Sequence, residues 1–228
     1  MLLPRGRQLR FAPCSSQNGL YRIPGVSIGV VSTRLDRAIA RIDARNSDDP
    51  NRILIRGVEQ PKEQTHAGLV TAWVSRLVAE PSEELLLASR AHHIRRWTIA
   101  RDSHPDGRIG YLAWRRALQD MHASELAAIM DAEGYPPEAI QRAGEIIRKR
   151  GLARDADVQA LEDALCLVFL ETQFQDLARK LDEPKMIDVL RKTMKKMSPQ
   201  GIQFALELGL EPPQRSLLLR AAATNETL

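Results

Sequence analysis

One segment, residues 155–181, constrains the fold more than any other part of the sequence. Its apolar residues recur at helical spacing, and it contains the longest apolar run of the chain, the seven residues from Ala164 to Leu170. A helix this apolar must be covered on several sides by other elements. Because the run is far shorter than the roughly 20 residues that cross a bilayer, it predicts a buried core helix and no membrane span.

Helical patterning extends through most of the chain from Ser32 onward. Leu35, Ile39 and Ile42 lie at helical spacing, and Pro or Gly marks the starts and ends of several later segments. The pattern predicts helices at about 32–46, 61–79, 81–97, 109–133, 136–151, 155–181, 184–197, 198–209 and 212–223. Residues 52–58 are expected to be a strand or a turn and residues 98–108 a loop, with no strand pair. The expected fold is an all-α helical bundle.

Residues 1–31 differ in composition from the rest of the chain, being rich in Arg, Ser, Gly and Pro without a sustained helical pattern. Since five of the 33 basic residues fall in residues 1–35, which contain no acidic residue, the remaining chain holds 28 basic against 29 acidic residues. The net charge of +4 therefore gives no general argument for nucleic-acid binding. We expect residues 1–31 to be a disordered or poorly packed basic leader, or a transit peptide, before a single all-α domain over residues 32–228.

The two cysteines, Cys14 and Cys166, lie far apart in the sequence, and Cys166 lies inside the apolar run. This position predicts a buried free thiol, which is typical of a reducing compartment. Together with the lack of a secretory signal, it favours a cytoplasmic location.

Four histidines fall on predicted helices, and two of them are adjacent in the sequence. Neutral imidazole is a common ligand of divalent metals, so antiparallel helices that bring these side chains to one level would form a metal site. A carboxylate on the apolar helix would complete it, and the cation would be Fe, Mn, Zn or Ni. Alternatively, the histidines are core residues with no metal. The candidate ligands are His66, His92, His93 and Asp163, with His122 nearby.

Residues 90–116 contain seven arginines against two aspartates. The planar guanidinium matches phosphate oxygens, and aromatic faces in the same stretch can stack on a base. These residues predict a phosphorylated small molecule or a nucleotide as ligand, with RNA as an alternative partner. Otherwise the arginines pair with nearby carboxylates and the tryptophans belong to the core, while the basic run 148–150 is expected to be a solvated helix end. The candidate substrate-binding residues are Arg95, Arg96, Trp97, Tyr111, Trp114 and Arg115.

The order of the histidines resembles the motif of the HD-domain superfamily, which are all-α, metal-dependent phosphohydrolases. In that motif a His precedes a His-Asp doublet and a distant Asp, and two-metal members have further histidines between them. Here His93 stands where the doublet has Asp, which removes a negatively charged ligand. The matching positions are His66, the run His92-His93-Ile94, His122 and Asp163.

The HD resemblance implies a hydrolase that acts on a phosphorylated small molecule with one or two divalent metals. In that reading His122 is a second-metal ligand or a proton donor. Glu162 is a base or a carboxylate that orients a ligand histidine. Two alternatives stay open: an HD-type iron oxygenase, and a non-catalytic helical module that binds a nucleotide or RNA.

A closer resemblance covers nearly all of the chain from Leu35 onward. Several long strings are similar to the domain-of-unknown-function family 4202 (DUF4202), which occurs in bacteria and fungi. That family implies little about activity, but its members typically have Gln-His where this chain has His92-His93, so His93 is the more family-like position. The strings are Asp43-Ala-Arg-Asn46 with Asp49-Pro50-Asn51, His93-Ile94-Arg95-Arg96-Trp97, Gly110-Tyr111-Leu112-Ala113-Trp114-Arg115 and residues 161–171.

Overall fold

The computed structural model describes residues 32–55 and 57–223, except for the side chain of Ile55. The expected leader over residues 1–31, with Cys14, lies outside the described residues. Within the described part the elements are ten α-helices, one hairpin and two short 3-10 turns, at Arg96–Thr98 and Arg101–Ser103. The helices and strands are α1 (Arg34–Ser47), β1 (Arg52–Ile55), β2 (Val58–Pro61), α2 (Lys62–Leu77), α3 (Glu83–Ala91), α4 (Gly107–Ala132), α5 (Pro137–Ile147), α6 (Ala156–Thr172), α7 (Phe174–Lys180), α8 (Glu183–Met194), α9 (Pro199–Glu207) and α10 (Pro212–Ala223).

The all-α prediction is confirmed, and the segment that was predicted to be a strand or a turn begins a short hairpin, a pairing that the sequence did not predict. Strands β1 and β2 pair antiparallel, with Arg52 opposite Pro61 and Ile53 opposite Gln60. The expectation that no strands pair was wrong, because four-residue strands are too short to show an alternating pattern. The second strand leads directly into α2, so the hairpin fixes where that helix begins.

Two predicted helices are interrupted in the structure. The predicted helix over residues 155–181 is divided into α6 and α7 at Gln173, where the backbone N–H donates to Phe169 O at 3.0 Å. The predicted helix over residues 81–97 ends at Ala91, and Arg95 then adopts a left-handed conformation with φ of 51°. Neither interruption contains Gly or Pro, so the usual sequence signals of a helix end are missing at both places.

The core forms around α6, as the apolar pattern predicts. This helix packs against α2, α3, α5, α7 and α9. Ten of its residues are buried, among them Leu161 and Cys166. Burial raises the pKa of the Cys166 thiol to about 12, and the thiol is free, so it is an inert core group. No helix in the described ranges is long and apolar enough to cross a membrane.

Helix α9 is attached to α6 through a buried carboxylate. Asp163 on α6 accepts hydrogen bonds from the backbone N–H and the hydroxyl of Ser198, the residue that caps α9. The Ser198 hydroxyl in turn accepts from the backbone N–H of Gly201 at 3.0 Å. This arrangement leaves no space beside Gly201, because a Cβ atom there would lie 2.7 Å from the carboxyl carbon of Asp163.

We expect Gly201→Ala to lower the free energy of unfolding by about 1–3 kcal/mol, since either the Asp163 carboxyl or α9 must move. The matched control is Gly209→Ala, because a Cβ atom at Gly209 meets nothing within 4 Å. That variant should change stability by no more than about 0.5 kcal/mol. Urea unfolding followed by circular dichroism measures both, and equal effects of the two variants would contradict this packing.

Candidate metal centre and adjacent cavity

Helices α2 and α3 bring three of the predicted ligands together. His66 lies on α2, His92 is the C-terminal capping residue of α3, and His93 follows it. One ring nitrogen of each residue lies within 4.8 Å of the other two. His66 and His92 are 8% and 5% exposed, so the group is mostly removed from water. This arrangement could hold a metal ion, as the sequence predicts for these three residues.

The early end of α3 allows both adjacent histidines to reach the same place. Successive residues in an α-helix point about 100° apart, so a continued helix would separate the two rings. Instead the chain turns after His92, and the ring centroids of His92 and His93 are 4.2 Å apart. The turn is held where the backbone N–H of Arg95 donates to Oδ1 of the buried Asn46 at 3.0 Å.

Hydrogen bonding fixes the tautomer of His92. Its Nδ1 lies 2.7 Å from the backbone oxygen of Ser89, which can only accept, so Nδ1 carries the proton and Nε2 a lone pair. That Nε2 is 3.1 Å from Nδ1 of His66. Burial, followed by the charges of neighbouring histidines, lowers the pKa of His92 well below its usual value. His92 is therefore neutral at pH 7, with a lone pair available for a cation shared with His66.

A carboxylate that sequence reasoning missed orients His93. Oε2 of Glu63 lies 3.0 Å from Nδ1 of His93, while Nε2 accepts from the Arg96 guanidinium at 3.2 Å. Glu63 is only 5% exposed, and its backbone N–H donates to Oδ2 of the buried Asp49 at 2.9 Å. A carboxylate hydrogen-bonded to an imidazole is the arrangement that orients metal ligands in many proteins. The available signal was the spacing of Glu63 and His66, three residues apart on one helix face.

His122 contributes a lone pair with no partner. Its Nδ1 donates to the backbone oxygen of Ile94 at 2.8 Å, so Nε2 carries the lone pair. The residue is 2% exposed, and Nε2 has no hydrogen-bond partner among the described residues. Burial lowers the pKa of His122 to about 4. An unsatisfied buried acceptor of this kind indicates a place for a ligand, a metal or a water.

A small cavity of about 50 Å³ adjoins the histidines. Its wall joins α4, the residues around the end of α3, the end of α5 and one side of α6. Leu118, Ile147 and Leu165 supply apolar lining, and three cations supply charge. Two of those cations, Arg96 and Arg115, are predicted substrate-binding residues, and the third is Lys149, which the sequence placed in a solvated helix end. The polar lining includes His92, His93, His122, Arg96, Arg115 and Lys149.

The other predicted substrate-binding residues lie outside this cavity. Arg95 lines a different cavity and forms an ion pair with Glu125 at 3.0 Å. The Trp114 indole donates to Ile99 O at 3.0 Å, and the Arg96 guanidinium lies 5.0 Å above its ring. Trp114 thus supports Arg96 from outside the cavity. Trp97 is half-buried in the adjacent 3-10 turn, and Tyr111 is 42% exposed.

The two consecutive acids of α6 have separate environments. Asp163 accepts from Gln159 at 2.9 Å and from Ser198, and it is not part of the three-histidine group. Glu162 accepts from the ammonium of Lys149, and its second oxygen lies 3.7 Å from Nζ of Lys196. Glu162 therefore adjoins the site only through Lys149, while Asp163 fastens α9.

Comparisons with known proteins identify a family and nothing further. Residues 36–218 match a family model described as "Domain of unknown function (DUF4202)". The searches of curated proteins and of solved structures found no match. The match covers the hairpin, α2 to α9 and most of α1 and α10, so it includes every residue of the site.

Acid should destabilise the metal-free protein through these histidines. The pKa of His122 is about 4 when folded and about 6.5 when unfolded, so the unfolded chain binds more protons between those values. The contribution of His122 to the free energy of unfolding is therefore fully present above pH 6.5. About 3 kcal/mol of it is lost as the pH drops toward 4. Urea unfolding at pH 7.5, 6 and 5 should show the loss, and His122→Leu should reduce the slope; a slope that is unchanged in His122→Leu would contradict the assignment.

Proposed function

This chain belongs to the DUF4202 family, and we propose that it is a metal-dependent hydrolase of the HD type that acts on a phosphorylated small molecule. The observation that carries the proposal is the group of three imidazoles, with ring nitrogens within 4.8 Å of one another, beside a cavity lined by three cations. Nitrogen ligands suit a divalent metal, and the cations suit an anionic substrate.

The donor set fits one divalent cation. His92 offers Nε2 and His66 offers Nδ1 at a separation of 3.1 Å, and His93 can offer Nε2 once Arg96 is displaced from it. Burial lowers the pKa of all three imidazoles, which keeps them neutral and able to ligate at pH 7. These nitrogens suit Zn, Fe, Mn or Ni better than Mg or Ca, which prefer oxygen ligands.

Glu63 supports the HD-type reading at the position where the chain departs from the HD motif. The motif has an acid where this chain has His93, and the Glu63 carboxylate lies 3.0 Å from Nδ1 of that same residue. Among the described residues, Glu63 supplies the one carboxylate that is hydrogen-bonded to these three imidazoles, and it gives the group one negative charge. That charge suits one divalent cation better than two, because two would leave a large uncompensated positive charge beside the cations of the cavity.

The roles of the side chains follow from their positions. When bound, a divalent cation supplies Lewis-acid chemistry that activates water and polarises a phosphoryl oxygen. Arg96 and Arg115 oppose the negative charge that develops on the phosphoryl oxygens. Burial keeps His122 neutral at pH 7, so its unpartnered Nε2 would accept a hydrogen bond from a water or a substrate hydroxyl in the site. Glu63 holds the proton on Nδ1 of His93 and so directs Nε2 of that ring into the site.

Metal content tests the centre directly. We expect about one equivalent of Zn, Fe, Mn or Ni per chain in the purified or reconstituted protein, measured by inductively coupled plasma mass spectrometry. His92→Ala should reduce that content to background, since it removes a central ligand. Asp163→Asn and His104→Ala should retain it, because neither residue belongs to the group. A metal-free wild type after reconstitution, or equal loss in all three variants, would overturn the centre.

Phosphate release tests the reaction. The metal-loaded protein should release inorganic phosphate from at least one member of a panel of p-nitrophenyl, sugar and nucleoside monophosphates. A chelator should abolish the release, added metal should restore it, and His92→Ala should lack it. Release that persists in both the chelated protein and His92→Ala would contradict the mechanism. Iron content together with oxygen consumption and no phosphate release would favour the oxygenase alternative instead.

A further inference from the structure

We infer that the small cavity is a subsite for one phosphoryl-sized oxyanion, and that Lys149, positioned by Glu162, binds that anion. The inference rests on the proposed function for the reaction that follows binding. Anion binding itself needs only the cavity, so it can be measured without metal.

The backbone at Lys149 has an unusual conformation for a residue with a side chain. Its φ is 56°, in the left-handed region, and its N–H donates to Ile146 O at 2.9 Å. Glycine adopts this conformation freely, whereas residues with a Cβ atom adopt it only at a cost in free energy. The turn after α5 therefore contains a lysine where glycine would be more stable locally. Strained positions of this kind cluster at functional sites.

Glu162 orients the Lys149 ammonium and has a second cation, Lys196, beside its carboxylate. The Glu162 side chain is 5% exposed and forms an ion pair with Nζ of Lys149, whose side chain is 22% exposed. Nζ of Lys196 lies 3.7 Å from the other carboxylate oxygen. If Lys149 turns toward an anion, Glu162 keeps a cationic neighbour and is not left as an unpaired buried charge.

The cavity has excess positive charge. Arg96, Arg115 and Lys149 line it, and the described residues that line it include no carboxylate. Arg96 and Arg115 line the same small space, so their like charges repel each other across it. An anion between them would relieve the repulsion and accept hydrogen bonds from both.

The size of the cavity restricts what can enter it. A buried water needs about 10–15 Å³ by the same kind of measure, so about 50 Å³ corresponds to a few waters or one tetrahedral oxyanion. A nucleobase or a sugar ring does not fit. The substrate class is therefore a terminal phosphomonoester that inserts its phosphoryl group, while the rest of the molecule stays outside.

The lone pair on His122 adds selectivity among tetrahedral anions. Its Nε2 is a buried acceptor without a partner among the described residues, and a P–OH group can donate to it. Monohydrogen phosphate carries such a group, and so does the monoanion of a phosphomonoester, whose second pKa is about 6. Sulfate carries no proton at neutral pH, so one of its oxygens would face the lone pair without a hydrogen bond. The subsite should therefore prefer phosphate to sulfate, although both have the same shape.

The test is isothermal titration of the full metal-free chain with inorganic phosphate and with sulfate at pH 7. We expect phosphate to bind and sulfate to bind at least about 10-fold more weakly. Lys149→Met should weaken phosphate binding about 10- to 100-fold, which is typical of losing a hydrogen bond to a charged group. Lys149→Arg should recover part of the affinity. Arg150→Met, at an exposed neighbouring position, should bind like the wild type.

Two further variants separate binding from a purely structural role of Lys149. Lys149→Gly suits the left-handed backbone, so it should stay folded and still lose phosphate binding. The double variant Lys149→Met with Glu162→Gln removes both charges of the ion pair. If Lys149 binds the anion, the double variant stays weak; if Lys149 only neutralises Glu162, the double variant regains wild-type affinity and the inference falls.

No phosphate binding at millimolar concentration in the wild type, or unchanged binding in Lys149→Met, would also overturn the inference. The outcome is independent of the metal centre. Phosphate binding in a protein that retains no metal would support the subsite and contradict the hydrolase. A metal-loaded, active protein whose metal-free form does not bind phosphate would support the hydrolase and contradict the subsite.

Discussion

The site depends on the hydrogen bond between the backbone N–H of Arg95 and Oδ1 of Asn46, which lie 3.0 Å apart. It holds Arg95 in the left-handed conformation and so fixes the turn that follows α3. Within that turn, His92 and His93 direct their rings to one place, and the backbone oxygen of Ile94 sets the tautomer of His122. Asn46 is fully buried, so this bond is protected from competition with water. One buried amide on α1 thus organises side chains at the end of α3 and on α4.

The four histidines of the site show how desolvation and chemistry are linked. Desolvation disfavours the charged imidazolium, so His66, His92, His93 and His122 are neutral at pH 7. Neutral rings can ligate a metal or accept a proton, whereas charged rings would repel a cation. Hydrogen bonds to backbone oxygens then decide, for His92 and His122, which nitrogen keeps its lone pair. The protein environment therefore prepares these rings for a ligand before any ligand is present.

The two adjacent acids of α6 have different contacts, one with the capping residue of α9 and one with a lysine of the cavity wall. Asp163 satisfies the capping residue of α9, and Gly201 gives it the space to do so. Glu162 points toward Lys149 and Lys196 and so sets the charge on one wall of the cavity. Consecutive helical residues point about 100° apart, so one position can serve packing while the next serves the site. The sequence predicted the ligand role for Asp163, which the structure places outside the three-histidine group.

The sequence by itself determined the helical class, the central place of α6, the family and the four histidines, because these depend on apolar periodicity and on local residue identity. Tertiary structure decided which charged groups meet. Glu63 and Lys149 entered the site, and Arg95 and Asp163 did not, because through-space pairing depends on how helices far apart in sequence are packed. The sequence also did not show where α3 ends. That end is set by the hydrogen bond from Arg95 to Asn46, which is 49 residues away, and not by a local Gly or Pro. Periodicity shows which face of a helix is buried, but only packing fixes the distance between two buried faces.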